Sequence, residues 1–207
     1  MWEKYHQGGW AMHFLAFFAL IGAAIILWRL IVLFLAQVNT RKFIAKIQYA
    51  LKEGGIEEAK EICTNTRGPL ASIFYSGLSR MDRGLEYVEK AIEEAGAIEM
   101  AFLEKGMVWL SFVINAAPMM GFLGTVSGMI NAFDAIAAAG DVEPTIVAGG
   151  ISEALITTAT GLIIAIPVQL FYNFFVSKID AMVIDMEESS TALIDTLIEI
   201  QSKKTNQ

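Results

Sequence analysis

Five side chains interrupt otherwise apolar sequence and could handle protons or water: Thr125 in residues 118–133, and Glu153, Thr157, Thr158 and Thr160 in residues 149–167. A threonine hydroxyl both donates and accepts hydrogen bonds, so a line of them can hold a file of water without carrying charge. A carboxylate at membrane depth is costly and by default marks an ion pathway or a buried partner. The competing role for each hydroxyl is back-bonding to its own helix carbonyls, and for Glu153 it is bracing a contact between helices. Asn115, Asn131 and Asn173 fit interhelical hydrogen bonding better than a relay.

The elements that must position these groups are helices with small-residue stripes. Ala117, Gly121, Gly124, Gly128 and Ala132 recur three to four residues apart and so share one helical face. Gly124 and Gly128 form a G-x-x-x-G pair, which lets backbones approach closely in lipid. The stripe predicts a contact between copies of the chain, with Gly124 at its centre. In the next segment Glu153, Thr157 and Thr160 lie near one line, and Ala154, Thr158, Gly161 and Ala165 on an adjacent one. Thr158 is turned about 140° from Glu153 at about 100° per residue, so the two cannot share a narrow face. If Thr158 faces a central cavity, Glu153 points toward a neighbouring copy or the preceding span. With Thr145 at the outer boundary, Glu153 lies roughly 12 Å deep. One carboxylate there cannot carry a proton across a core about 30 Å thick, so water, further copies or a partner's titratable group must complete the path.

The run Gly121-Phe-Leu-Gly124-Thr125-Val-Ser-Gly128-Met-Ile with Phe133, then Gly150-Ile-Ser-Glu153-Ala154-Leu-Ile-Thr-Thr158-Ala159-Thr-Gly161 and Ala165-Ile-Pro167, resembles the ExbB/TolQ/MotA proton-channel family. The close match covers residues 115–173; the remainder is similar to the three-span ExbB/TolQ branch, and most to ExbB, in layout. The resemblance implies that Thr125 and Thr158 line the pore, that Glu153 is the acid of the third span, and that Thr157 and Thr160 are secondary polar lining. Gly121, Gly124, Gly128, Gly161 and Pro167 would serve helix packing. It further implies a homo-oligomeric ring, a pentamer, around helices of a single-span ExbD/TolR-like protein carrying a membrane Asp. A TonB-like protein would be the onward partner, and the ring would drive work at the outer membrane. A TolQ-like role in the Tol-Pal envelope system and a non-conducting membrane scaffold are the alternatives.

Composition agrees with a membrane setting. The chain has 207 residues, 55% of them hydrophobic, with a mean hydropathy of +0.52; soluble domains sit nearer 45–50% apolar. A formal charge of −7 and the absence of a basic, aromatic-laced patch speak against nucleic acid. The one cysteine, Cys63, rules out an intrachain disulfide. His6 and His13 have no partner at ligand spacing, so neither a metal nor another cofactor is expected. No P-loop or zincin motif occurs, and Gly124-Thr-Val-Ser127-Gly128 misses a nucleophile elbow by one place, so the reading is not an enzyme.

The fold expected is an all-α membrane protein with three transmembrane helices, long cytoplasmic helical extensions and a small cytoplasmic helical domain. Residues 1–9 form an interfacial periplasmic N-terminus, and residues 10–38 an uncleaved first span in which Arg29 snorkels toward the cytoplasm. Residues 39–105 make the cytoplasmic domain, with helices over 43–51, 56–64 and 70–81 and one from Leu85 that continues into the second span, 106–137. An acidic periplasmic loop, 138–144, precedes the third span, 145–177, and a cytoplasmic helical tail, 178–207. The tail's seam is Ile179, Met182, Val183, Met186, Leu193, Leu197 and Ile200, and its last residues look frayed. Arg41, Lys42, Lys46, Lys105 and Lys178 border one side of the spans, while Asp134, Asp141 and Glu143 lie on the other. The positive-inside rule therefore puts residues 39–105 and the C-terminus in the cytoplasm, and the family resemblance implies that the membrane is the bacterial inner membrane.

Overall fold

The computed structural model describes residues 2–36, 40–139 and 144–205. Among them the regular elements are helical: α1 (Trp2–Gln7), α2 (Ala11–Ala36), α3 (Thr40–Glu53), α4 (Gly55–Thr64), α5 (Pro69–Leu78), a 3-10 turn (Met81–Arg83), α6 (Leu85–Glu104), α7 (Met107–Ala139) and α8 (Pro144–Thr205). The expected acidic loop lies outside the described residues at 140–143. The chain divides into two compact units: one contains the residues up to Arg29 and Gly106–Phe175, the other Leu30–Lys105 and the chain from Val176.

In the first unit, α2, α7 and α8 supply three helices long and apolar enough to cross a membrane. The 26 residues of α2 rise about 39 Å, more than a hydrocarbon core needs. Their outer faces carry large apolar side chains such as Leu20, Phe122, Ile163 and Leu170, the surface that lipid or a neighbouring copy must cover. Arg29 departs from the snorkelling expectation. It is 0% exposed, enclosed by protein instead of reaching along the helix to an interface.

The second span is also not the direct continuation of the helix from Leu85. α6 closes at Glu104, and Lys105 swings out of helical geometry at φ −54° and ψ 124°. Gly106 then takes φ +92°, with the ring of Trp28 2.9 Å from where a Cβ would stand. Only glycine meets both demands at low cost, so the chain breaks there and α7 starts afresh.

In the second unit, α3 is amphipathic and buries Phe43, Ile47, Ala50 and Leu51. Phe43 meets Phe74 of α5 at 5.5 Å between ring centres. Pro69 opens α5 at a first-turn position where its missing N–H costs nothing. α5 ends at Leu78 rather than 81, because the chain leaves helical geometry at Arg80, with φ −104° and ψ 7°, and tightens into the 3-10 turn. Gly77 makes room for Ile92 of α6, which would lie 2.8 Å from an added Cβ. The far half of α8 buries Ile179, Met186, Leu193 and Leu197, each worth about 1.5–3 kcal/mol on full burial. Ser189 and Thr196 are enclosed among them, which the apolar seam did not foretell. Thr196 gives its proton to the Ala192 carbonyl and accepts from Gln48 of α3 at 3.3 Å. The helix runs on through Thr205, into the 202–207 stretch expected to fray, of which 206 and 207 lie outside the described residues.

Candidate functional site

The two small-residue stripes interlock within one chain. A Cβ on Gly121 would stand 2.8 Å from the Thr157 carbonyl, one on Gly128 3.1 Å from the Gly150 carbonyl, and one on Gly161 2.6 Å from the Ala117 carbonyl. Ala117, Ala132, Ala154 and Ala165 are all buried. The stripe on α7 is therefore filled by α8 of the same chain. This corrects the expected contact between copies through Gly124, which instead faces the side chain of Thr157; a Cβ on Gly124 would stand 2.6–2.9 Å from it. Pro167 is exposed on α8, while the half-buried Pro118 of α7 lies beside Gly161.

This close approach puts the hydroxyls of Thr125 and Thr158 in direct hydrogen bond across α7 and α8. Thr125 Oγ1 also lies 3.2 Å from the Gly121 carbonyl and 3.3 Å from that of Ala154, and Thr158 Oγ1 3.2 Å from the Gly121 carbonyl. The pair thus holds two protons and has more acceptors than it needs. One hydroxyl donates to a carbonyl and accepts from the other, and rotating both reverses the polarity without breaking the chain. Both residues are half-buried.

Thr157 and Thr160 are arranged otherwise. Thr157 is 0% exposed and donates to the Ala154 carbonyl at 2.8 Å, wedged against Gly124, which gives it a packing role. Thr160 donates to the Ile156 carbonyl at 2.7 Å, the back-bond common for hydroxyls in membrane helices.

Glu153 is directed at the N-terminal turn of its own chain. Its carboxylate lies against Gly9, in the turn between α1 and α2, where φ is +62° and a Cβ would overlap the oxygen. Next to it, Trp10 donates its indole N–H to Ser127 of α7 at 3.2 Å, and Gly8 faces Met12 and Ile156. The Gly8-Gly9-Trp10 turn therefore straps the head of α2 to both other helices. Only the glycine pair hinted at it in the sequence, where residues 1–9 read as an interfacial N-terminus.

Three apolar helices, two of them joined along a tight seam that carries a paired hydroxyl, define a polytopic membrane protein. Residues 65–188 match the MotA/TolQ/ExbB proton channel family. The chain belongs to that family. It is 43% identical over 99 residues to a biopolymer transport protein ExbB of Xanthomonas campestris pv. campestris, covering 48% of this chain and 39% of that one. It is 30% identical over 164 residues to a biopolymer transport protein ExbB of Pseudomonas putida, covering 74% and 50%. To a Tol-Pal system protein TolQ of Pseudomonas aeruginosa it is 36% identical over 102 residues, covering 49% and 44%. The chain spans about half or less of the length of these relatives.

Proposed function

We propose that the chain is the channel-forming stator subunit of an ion-motive-force-driven motor of the bacterial inner membrane, acting as its ExbB relatives are named to do, in biopolymer transport. Copies form a ring, five by family resemblance, around helices of a single-span ExbD/TolR-like protein whose membrane Asp titrates. A TonB-like protein takes up the work. Residues 39–105 and the tail lie in the cytoplasm, and the head of α2 and the 138–144 connection outside. The observation that supports this most is the Thr125–Thr158 hydroxyl pair, half-buried and held by backbone carbonyls across α7 and α8. A reversible hydroxyl chain suits handing hydrogen bonds to water beside a partner's carboxyl, and it cannot itself store the proton. Glu153 would then tune the path from the outer side.

The test is proton uptake into liposomes holding this chain and its single-span partner. Thr125→Val with Thr158→Val keeps shape and removes both hydroxyls, so flux should fall at least tenfold while the native mass of the assembly stays unchanged. Normal flux in that double variant would rule out the hydroxyl path. A second reading, a TolQ-like subunit of a Tol-Pal system, has the Pseudomonas aeruginosa relative in its favour. Co-purification with a TolR-like rather than an ExbD-like protein would decide for it.

A further inference from the structure

We infer that a second copy of this chain seats the exposed face of its α3 in the groove between α6 and α8, so that neighbouring copies join head to tail through these two surfaces. The inference rests on the oligomeric reading and assigns its surfaces.

The groove is about 470 Å³ in volume, with Ile92, Met100 and Ile194 among its apolar walls. Gly96 deepens it, since a Cβ there would meet nothing within 4 Å. Glu89, Glu93 and Glu187 stand on its rim, and among the described residues no lysine or arginine lines it. Glu89 and Glu93 are four apart on one helix, an arrangement that repels unless a cation comes between. An occupant should therefore be basic, helical and partly apolar.

The chain carries such a helix. On α3, Arg41, Lys42, Lys46, Tyr49 and Lys52 are all exposed, and they fall within an arc of about 140°. Tyr49 is at the centre of that arc and 69% exposed, a flat amphipathic side chain of the kind favoured at interface centres. The stretch from Arg41 to Lys52 rises about 16 Å, and that from Glu89 to Met100 rises the same. The face cannot fill the groove of its own chain. The opposite side of α3 is buried, with Phe43 against Phe74 of α5 and Gln48 bonded to Thr196 of α8. Its basic side therefore points out of the unit. Two different surfaces meeting in this way form a heterologous contact, which closes into a ring when the rotation allows.

The test uses the full-length chain with two different tags, co-expressed in one membrane with Cys63→Ala in both. One version carries Tyr49→Cys and the other Ala97→Cys. A short bismaleimide should join the two tags at least tenfold more than it joins Tyr49→Cys to itself. Lys46→Glu should cut that yield about tenfold, and Glu93→Lys in the same chain should restore most of it. Native mass spectrometry of the untreated sample reads the oligomer separately. An intact oligomer without the mixed product overturns the surface assignment and leaves the groove to another protein. A monomeric mass overturns the oligomeric reading itself and this inference with it.

Discussion

Gly9 and Glu153 belong to opposite ends of the membrane-spanning sequence, yet one leaves the space the other fills. Residue types marked Glu153 and four threonines, because a polar group in an apolar run is conspicuous, and the family resemblance singled out Thr125 and Thr158 among them. Their partners were not legible, since a turn with positive φ leaves no periodic trace. Gly9→Ala should lower the melting temperature twice over, through about 1–2 kcal/mol of left-handed strain and through the clash with the carboxylate. Glu153→Asp, one methylene shorter, should recover the clash and not the strain. No recovery in the double variant would show that the carboxylate is not held there. Cys63 gives a second residue-scale test. Burial pushes its thiol up to about 12. The unfolded thiol ionises near pH 8.5. The neutral thiol is the form the fold favours, so its contribution is complete below about pH 8.5 and is lost as pH rises toward 12. Maleimide labelling of the native chain at pH 8 should run at least tenfold slower than after unfolding, and the alkaline loss of stability should shrink in Cys63→Ala.

Among the elements, apolar runs and amphipathic periods announced α2, α3, α7 and α8 because burial in lipid or in a core imposes them. The break at Lys105–Gly106 was not legible: one glycine within a helical pattern reads as tolerated, and neither its positive φ nor the ring of Trp28 shows in the sequence. The same limit hid which face of α7 met which helix. A small-residue stripe says that backbones approach, and it does not name the partner. The interlock predicts that Gly161→Leu prises α7 from α8, at a cost above the 1–3 kcal/mol of ordinary overpacking, because its neighbour is the Ala117 backbone. Thermal unfolding in detergent followed by circular dichroism should register it. Ser127→Ala, which removes one hydrogen bond from Trp10, should cost only about 0.5–1.5 kcal/mol. Equal losses in the two variants would mean that the seam is looser than drawn.

For the whole molecule, long apolar runs conveyed three spans, while the placement of lysine and arginine carries a proposal for their sidedness. What the sequence could not convey was the enclosure of Arg29, because an isolated cation near a helix end reads as interfacial until three-dimensional neighbours surround it. The proposed orientation is open to labelling in intact cells with an impermeant thiol reagent on a Cys63→Ala background. Ala138→Cys should react from outside and Glu58→Cys only after permeabilisation. The reverse pattern would turn the molecule over and move the N-terminal strap to the cytoplasmic side.

The interlocked stripes also govern how this chain can drift. Where a glycine faces a neighbour's side chain, as Gly124 faces Thr157, a larger residue can be suppressed at a second site by trimming the opposite one. Where it faces main-chain atoms, as Gly121, Gly128 and Gly161 do, no second-site change can make room, for every amino acid brings the same carbonyl. A suppressor screen should therefore return partners for Gly124 and only true revertants for the other three.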